Sequence, residues 1–321
     1  MNTFDVAVIG AGAAGLSAAL VLLRARRSVV VIDAGSPRNA PAAHMHGFLS
    51  RDGMPPTDLL RIGRSEITGY GGSIIHAAVT RIDPGFALLL STGDMVRARR
   101  ILASTGLSDE IPDVPGVRER WGRDVLHCPY CHGYEVRDQP LGILGGATEE
   151  VAHALLIRQW SADVTLFPHA DALSAEQEET LTARGVRIVK GEVRRMVVED
   201  DRLVGVQLVD GRMIPRTAVF VRPRFRPNTA LLTDLGCRVD ERGWTEHDGA
   251  GRTSVPGVFV AGNAADPRAQ VITAAGQGSA AAIAINADLV DDETAAAVLA
   301  LRAQDTSANR TAEPSSKGHR A

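Results

Sequence analysis

The run from Phe4 to Asp33, FDVAVIGAGAAGLSAALVLLRARRSVVVID, constrains the fold more than any other part of the chain. A short strand pattern, Val6 to Ile9, leads into Gly10-Ala11-Gly12-Ala13-Ala14-Gly15, and an alanine- and leucine-rich helix pattern follows to about Arg26. A second apolar strand, Val29 to Ile32, ends at Asp33. Strand, glycine turn, helix, strand and terminal acid together make the G-x-G-x-x-G fingerprint of a dinucleotide-binding βαβ unit. Gly10 permits the tight turn, Gly12 lets backbone approach a pyrophosphate, and Gly15 lets the helix pack on the strand. The free N–H groups and positive end of a helix opening at Ala13 and Ala14 favour phosphate. Asp33, followed by Ala34, can accept hydrogen bonds from a ribose.

Hydropathy alone misleads here. Val6 to Leu23 is an uncharged run of 18 residues, just long enough to suggest a membrane span. Three glycines in a turn motif argue against that, and no Lys or Arg precedes the run as in a signal peptide. The expectation is a cytoplasmic protein without a membrane partner. At 321 residues two domains are the natural prior, and 45% hydrophobic residues suffice for real cores. A net charge of −3 and a pI near 6.3 predict no nucleic-acid or anionic-membrane partner. Residues 303–321 lack large apolar side chains and are expected to form a disordered, solvated tail.

The chemistry points to CPYCHGYE, residues 128–135, in a chain with three cysteines. Cys128 and Cys131 can close a small disulfide ring and reopen it, and a lowered thiol pKa makes the thiolate a nucleophile for exchange. Half of a zinc site and a structural disulfide are the alternatives. Zinc usually needs four ligands, and Cys237 is alone, so no metal is expected even with His127 and His132 adjacent. A structural disulfide fits poorly with a cytosolic-looking chain. Redox function is the preferred reading.

Residues 34–72 read as loop and helix, with His44 and His46 able to contact cofactor or substrate. Residues 73–103 predict a small antiparallel meander, and ILASTG (101–106) a buried strand ending in small residues. A second βαβ pattern starts near Leu141: a helix to about Trp160, a strand from Asp163 to Phe167, a helix over 174–184 and a strand at 186–190. A further meander is predicted through 193–221. Residues 255–290 predict strand, loop and a long small-residue helix from near Thr273, with the Gly262-Asn263 corner as a second cofactor-contact surface.

Together these pieces resemble the low-molecular-weight thioredoxin reductase family over roughly residues 4–302. The match rests on the first G-x-G-x-x-G, Ser104-Thr105-Gly106 at a strand end, the C-x-x-C and the closing GVFVAGN segment. The resemblance implies an α/β fold of two Rossmann-like, three-layer ββα domains. An FAD-binding domain, 1–114 and 225–302, would be split by an inserted NAD(P)-binding-like domain, 115–224, that carries the C-x-x-C. It implies FAD bound by the first fingerprint, Thr105 and Gly106, with Asn263, Gln270 and Val271 by the ribityl chain and flavin ring. It also implies that Cys131 faces the flavin, that Cys128 exchanges with substrate, and that the protein is a homodimer. The family's usual residue at 263 is Asp; Asn keeps hydrogen-bonding capacity but removes charge.

Two departures separate this chain from the reductases. The second motif falls on Gly145-Gly146-Ala147-Thr148-Glu149-Glu150, with Ala147 where backbone should approach a pyrophosphate. One carboxylate about 6 Å from a phosphate costs roughly 2–3 kcal/mol at an effective ε of ~20. No Arg or Lys follows Phe167 before Arg184 to hold a 2′-phosphate, and no acid ends that strand for a ribose. NAD(P)H is therefore not expected to be used. Second, the reductases carry an acid after the second cysteine, where this chain has His132. An imidazole can take a thiol proton near neutral pH, so His132 is a candidate base.

CPYCHGYE, the DxGxPRNAPA segment at 33–42 and the degraded second motif resemble the dithiol oxidases of the gliotoxin and holomycin type. That resemblance implies an antibiotic-biosynthesis type of reaction. A small-molecule dithiol exchanges with the Cys128–Cys131 disulfide, and electrons pass through FAD to O2, giving H2O2. The competing readings are an NADPH-dependent thioredoxin-disulfide reductase, a ferredoxin-type protein-fed disulfide reductase and a non-catalytic flavin redox sensor.

Overall fold

The computed structural model describes residues 3–311, and side chains as far as Gln304. The first fingerprint folds as β1 (Thr3–Ile9), α1 (Ala13–Arg24) and β2 (Val29–Asp33). The helix α2 (Pro56–Gly69) and the strands β3 (Ser73–His76), β4 (Val79–Asp83), β5 (Ala87–Leu90) and β6 (Met95–Ala103) follow. Their sheet runs β3-β2-β1-β6-β5-β4. Strand β6 divides its length between neighbours. Arg97, Val96 and Met95 pair antiparallel with β5, while Ile101–Ala103 pair parallel with the late strand β17 (Val258–Val260). The expected meander over 73–103 is thus corrected in part. β4, β5 and β6 form it, but β3 pairs parallel with β2 and closes the edge of the Rossmann-like sheet.

The linking strand β7 (Leu107–Glu110) pairs antiparallel with β16 (Arg224–Pro227), so the chain leaves and re-enters the first domain side by side. Between them lie α3 (Val117–Arg120), β8 (Val125–Leu126), α4 (Pro129–His132), β9 (Leu141–Leu144), α5 (Thr148–Ile157), β10 (Val164–Phe167), α6 (Ala175–Ala183) and β11 (Val186–Ile188). The hairpin strands β12 (Val193–Glu199), β13 (Arg202–Leu208) and β14 (Met213–Pro215) precede β15 (Ala218–Val221). The second sheet is parallel, in the order β11-β10-β9-β15-β8, and β12-β13-β14 form a separate antiparallel layer. The predicted meander therefore ends at β14. β15 is fully buried on both faces, so its four apolar residues suit a central parallel strand.

After β16, α7 (Ala230–Asp234), β17 and a 3-10 turn at Gly262–Ala264 lead to α8 (Val271–Thr311). α8 lies against α1, and the contact is closer than any side chain permits: a Cβ on Gly278 would stand 2.0 Å from the Ala14 carbonyl oxygen. Val6, Val8, Ala18, Leu22, Ala281, Ala282, Ile285 and Leu289 fill this layer at the sheet's helical face. Each fully buried Val, Leu or Ile there contributes roughly 1.5–3 kcal/mol. Arg100 within β6 reaches Asp288 and Asp292, which fastens the helix to the sheet. α8 runs on to Thr311, so residues 303–311 are helical rather than the expected disordered tail, and 312–321 lie outside the described residues. The helix here continues the alanine-rich turns before it, Ala295 to Ala300, into a stretch whose own residues have modest helix propensity. Among the described residues no helix is long and apolar enough to cross a membrane.

Candidate active site

The first glycine loop has the geometry its sequence demands. Gly10 adopts φ +103°, and a Cβ there would meet the Ser104 carbonyl oxygen at 2.5 Å. Ser104 in turn donates its hydroxyl to the carbonyls of Ile9 and Gly10, which ties β6 to the turn. A Cβ on Gly15 would stand 2.0 Å from the Gly10 carbonyl oxygen, so the first turn of α1, including Ala13 and Ala14, is drawn tight against the loop. At Gly12 the surrounding 4 Å is open. Asp33 accepts the Ala11 N–H at 3.1 Å with one oxygen and pairs with Arg64 at 2.8 Å with the other. Beside it, Asp33, Ala34, Gly35, Ala77, Ala78 and Ser91 line a cavity of about 500 Å³.

The late corner meets this loop from the other side. Gly262 sits so close to α1 that a Cβ on it would touch the Ala14 methyl at 2.9 Å. Asn263 donates its side-chain amide to the carbonyls of Asp266 and Ala269, holding the turn that delivers Gln270 and Val271 to the start of α8. An aspartate would set a carboxylate against those two carbonyl oxygens, which accounts for Asn at 263. Gln270 Oε1 lies 3.4 Å from where a Cβ of Gly47 would be, so the 34–54 loop passes over the α8 start. Thr105 and Gly106 are used differently. The Thr105 hydroxyl donates to the Asn228 carbonyl, and the Gly106 carbonyl accepts the Asn228 N–H, pinning the point where β6 gives way to the crossing strands.

Cys128 and Cys131 are joined in a disulfide, with Cα atoms 5.3 Å apart. Pro129 opens the short helix α4 after Cys128, where its missing N–H costs nothing. A Cβ on Gly133 would stand 2.9 Å from the Trp160 indole, so the turn is braced from below. His132 donates its backbone N–H to the Cys128 carbonyl at 3.2 Å. Burial pushes its imidazole pKa down, Glu135 opposes that and His46 adds to it. The ring is therefore neutral at neutral pH; its buried Nδ1 makes no well-formed hydrogen bond, and the approach of the ring to the Cys128 backbone partly opposes the effect of burial. His127, on the far side of Cys128, turns away: Nδ1 lies 3.3 Å from the Val221 carbonyl, and burial pushes its pKa down to about 4. Among the described residues no cluster of three or more His, Cys, Asp or Glu side chains suits a metal ion. The remaining thiol, Cys237, is buried beside Thr253.

In the second glycine loop Gly145 adopts φ +107°, and Ala147 caps α5 in extended backbone. Here Glu150 occupies the place of Gly15, and its Cγ lies 2.8 Å from where a Cβ of Gly145 would be. One Glu150 oxygen is buried without a hydrogen-bond partner, and the other lies 3.9 Å from Arg222. Glu149 is exposed on the same first turn. No acid ends β10, as expected, but Asp171, four residues beyond it, accepts the Gly146 N–H at 2.7 Å, so an acid reaches this loop all the same. The chain turns back at His169, φ +62°, and that turn brings Asp171 round from beyond the strand end. Arg222 was equally hidden, because it follows β15, far from Phe167 in sequence.

The family model described as pyridine nucleotide-disulphide oxidoreductase matches residues 4–278. The chain belongs to this family. The crystal structure of HlmI is 54% identical, with a TM-score of 0.92 over 94% of this chain and 97% of its own. The putative thioredoxin reductase TrxB of Bacillus anthracis is 34% identical, with a TM-score of 0.86 over 90% and 99% of the two chains. Thioredoxin reductase sirT of Leptosphaeria maculans is 31% identical over 317 residues, 92% of this chain and 97% of its own. As a thioredoxin-reductase-like member, the protein is a flavin-dependent thiol/disulfide oxidoreductase built from two Rossmann-like domains. The first loop fits the flavin nucleotide. The open space at Gly12 and the positive end of α1 suit a pyrophosphate, and Asp33 with its adjoining cavity suits an adenosine.

Proposed function

We propose that this protein is an FAD-dependent dithiol oxidase that closes a disulfide in a small natural-product dithiol, with O2 reduced to H2O2. The observation that carries the reading is His132: a half-buried, neutral imidazole directly after the disulfide, with a ring nitrogen turned toward the Cys128 carbonyl. We assign FAD to the domain formed by 1–114 and 225–302, and the disulfide relay to the insertion, 115–224, in a homodimer. His132 takes the proton from a substrate thiol. The thiolate attacks Cys128 Sγ, forming a mixed disulfide and releasing Cys131 as a thiolate. The second substrate sulfur, as thiolate, attacks the first, which forms the product disulfide and releases Cys128. Two electrons have then moved from substrate to the cysteine pair. Bound FAD would supply the acceptor for those electrons and pass them to O2. On the family resemblance we assign the hand-over to Cys131 and the exchange with substrate to Cys128.

A second reading, an NADPH-dependent thioredoxin-disulfide reductase, draws support from the nucleotide-type backbone kept at Gly145. Cysteine variants test the relay itself. Cys128→Ser and Cys131→Ser should each abolish dithiol-dependent O2 consumption, while Cys237→Ser leaves it within twofold of wild type. Full O2 consumption in the Cys128→Ser/Cys131→Ser double variant would refute the relay.

A further inference from the structure

The loop between β2 and α2 does more than pass the glycine motif. Near its start Arg38 makes a bidentate ion pair with Asp109 in β7, at 2.7 Å for both bonds, and its guanidinium lies over the Phe225 ring of β16. Pro41 packs against Gly122 at the entrance to the second sheet. Further along, His46 stands between two carboxylates. Nδ1 is 3.3 Å from Asp52 in the same loop, and Nε2 is 3.5 Å from Glu135, three residues beyond His132. Asp52 is itself fixed by the Gly47 N–H at 2.8 Å, which sets the ring's orientation. Gly47 lies on Gln270 at the start of α8. His46 is thus the link by which the α8 start and the disulfide turn, on different domains, are held together.

We infer that His46 is a positioning residue: acting through Glu135, it seats the Cys128–Cys131 turn of the inserted domain over the Gln270 end of α8. The inference rests on the relay proposed above, because seating matters only if the cysteines deliver electrons at that end. The approach of Nε2 to Glu135 becomes an ion pair when the imidazole carries a proton, and His46, at 22% side-chain exposure, is sheltered while Glu135 is 44% exposed. A partly exposed pair of this kind changes an equilibrium by at most about fivefold. Arg38 and Pro41 hold the linker strands and the entrance to the second sheet, whereas His46 bridges to the segment bearing the cysteines.

The test uses the holoenzyme, with His46→Phe, His46→Gln and Glu135→Gln, and dithiothreitol as the dithiol. Hydrogen exchange is followed in peptides covering 44–54 and 128–136. His46→Phe should raise exchange about fivefold in both segments, Glu135→Gln should do the same, and combining them should add nothing. His46→Gln, which keeps a donor for Glu135, should restore most of the protection. Anaerobically, His46→Phe should leave reduction of the Cys128–Cys131 disulfide within twofold of wild type, read by alkylation and mass. Flavin bleaching should slow about fivefold. Unchanged protection, or loosening of 44–54 alone, would overturn the inference. A wild-type flavin that dithiothreitol fails to bleach would instead count against the dithiol oxidase, and hydrogen exchange would still decide the role of His46.

Discussion

Gly10 and Gly145 have nearly the same φ, +103° and +107°, and each opens a loop whose third residue caps a helix in extended backbone. In both loops the second residue gives its N–H to an aspartate, Ala11 to Asp33 and Gly146 to Asp171. The resemblance ends at the side chains. The first loop has open space at Gly12 and bare backbone at Gly15; the second has the Ala147 methyl and a Glu150 side chain folded back over Gly145. Backbone shape is thus inherited by both domains, while the ability to receive a polyanion is decided by a few atoms. A carboxylate replaces a hydrogen in the second loop just where a helix start would otherwise favour phosphate.

The largest expected effect separates the two loops directly. Gly12→Val should yield a folded protein without FAD, because the isopropyl group fills the pyrophosphate space. Ala147→Val, the matching change in the second loop, should leave the flavin-to-protein absorbance ratio at the wild-type value. Loss of flavin in both variants would mean that the loops are not functionally distinct.

His132 asks what chemistry the second domain carries if its loop does not receive a nucleotide. His132→Ala should slow anaerobic flavin reduction by dithiols on the order of 10²-fold at pH 7, with FAD content unchanged. The sign of its pH dependence follows from burial. The imidazole pKa lies below its ordinary value, so the neutral, proton-accepting form persists to lower pH than for a free histidine. Wild-type rates should fall only below that lowered pKa, and the mutant's deficit should shrink at high pH, where substrate thiols ionise unaided. A deficit that is constant with pH would make His132 a packing residue.

The smallest effect sharpens the comparison at Glu150. Glu150→Ala should raise the apparent NADPH affinity by on the order of tenfold. That is less than the full ~2–3 kcal/mol of a like-charge contact, because Arg222 already offsets part of the carboxylate's charge. Titration of the aerobic holoenzyme by tryptophan fluorescence reads this. No gain would mean that Glu150 is not what limits NADPH binding, and would leave Ala147 and the absent basic cluster as the features to test.

Much of this contrast was legible in the sequence, because it depends on local spacing. The first βαβ unit, the broken second motif and the C-x-x-C with its histidine are all short runs whose chemistry follows from neighbours. The strand at 73–76 escaped because direction of pairing is a tertiary property, and a four-residue strand with two central isoleucines fits a parallel edge as well as a meander. Asp171, Arg222 and Glu135 escaped because their partners, Gly146, Glu150 and His46, are far away in sequence. The donor role of Asn263 depends on where two carbonyls point. His132 was legible as a candidate base, but its depressed pKa arises only from packing.

The central claim is that electrons enter through the cysteine pair and not through a nicotinamide. The direct measurement is anaerobic rapid mixing of the FAD-loaded enzyme with excess dithiothreitol in one syringe and excess NADPH in another, following flavin absorbance. The dithiol should bleach the flavin, NADPH should leave it oxidised over the same interval, and admitting air should restore the colour with release of H2O2. Bleaching by NADPH within milliseconds would contradict the account and place the enzyme with the NADPH-dependent reductases.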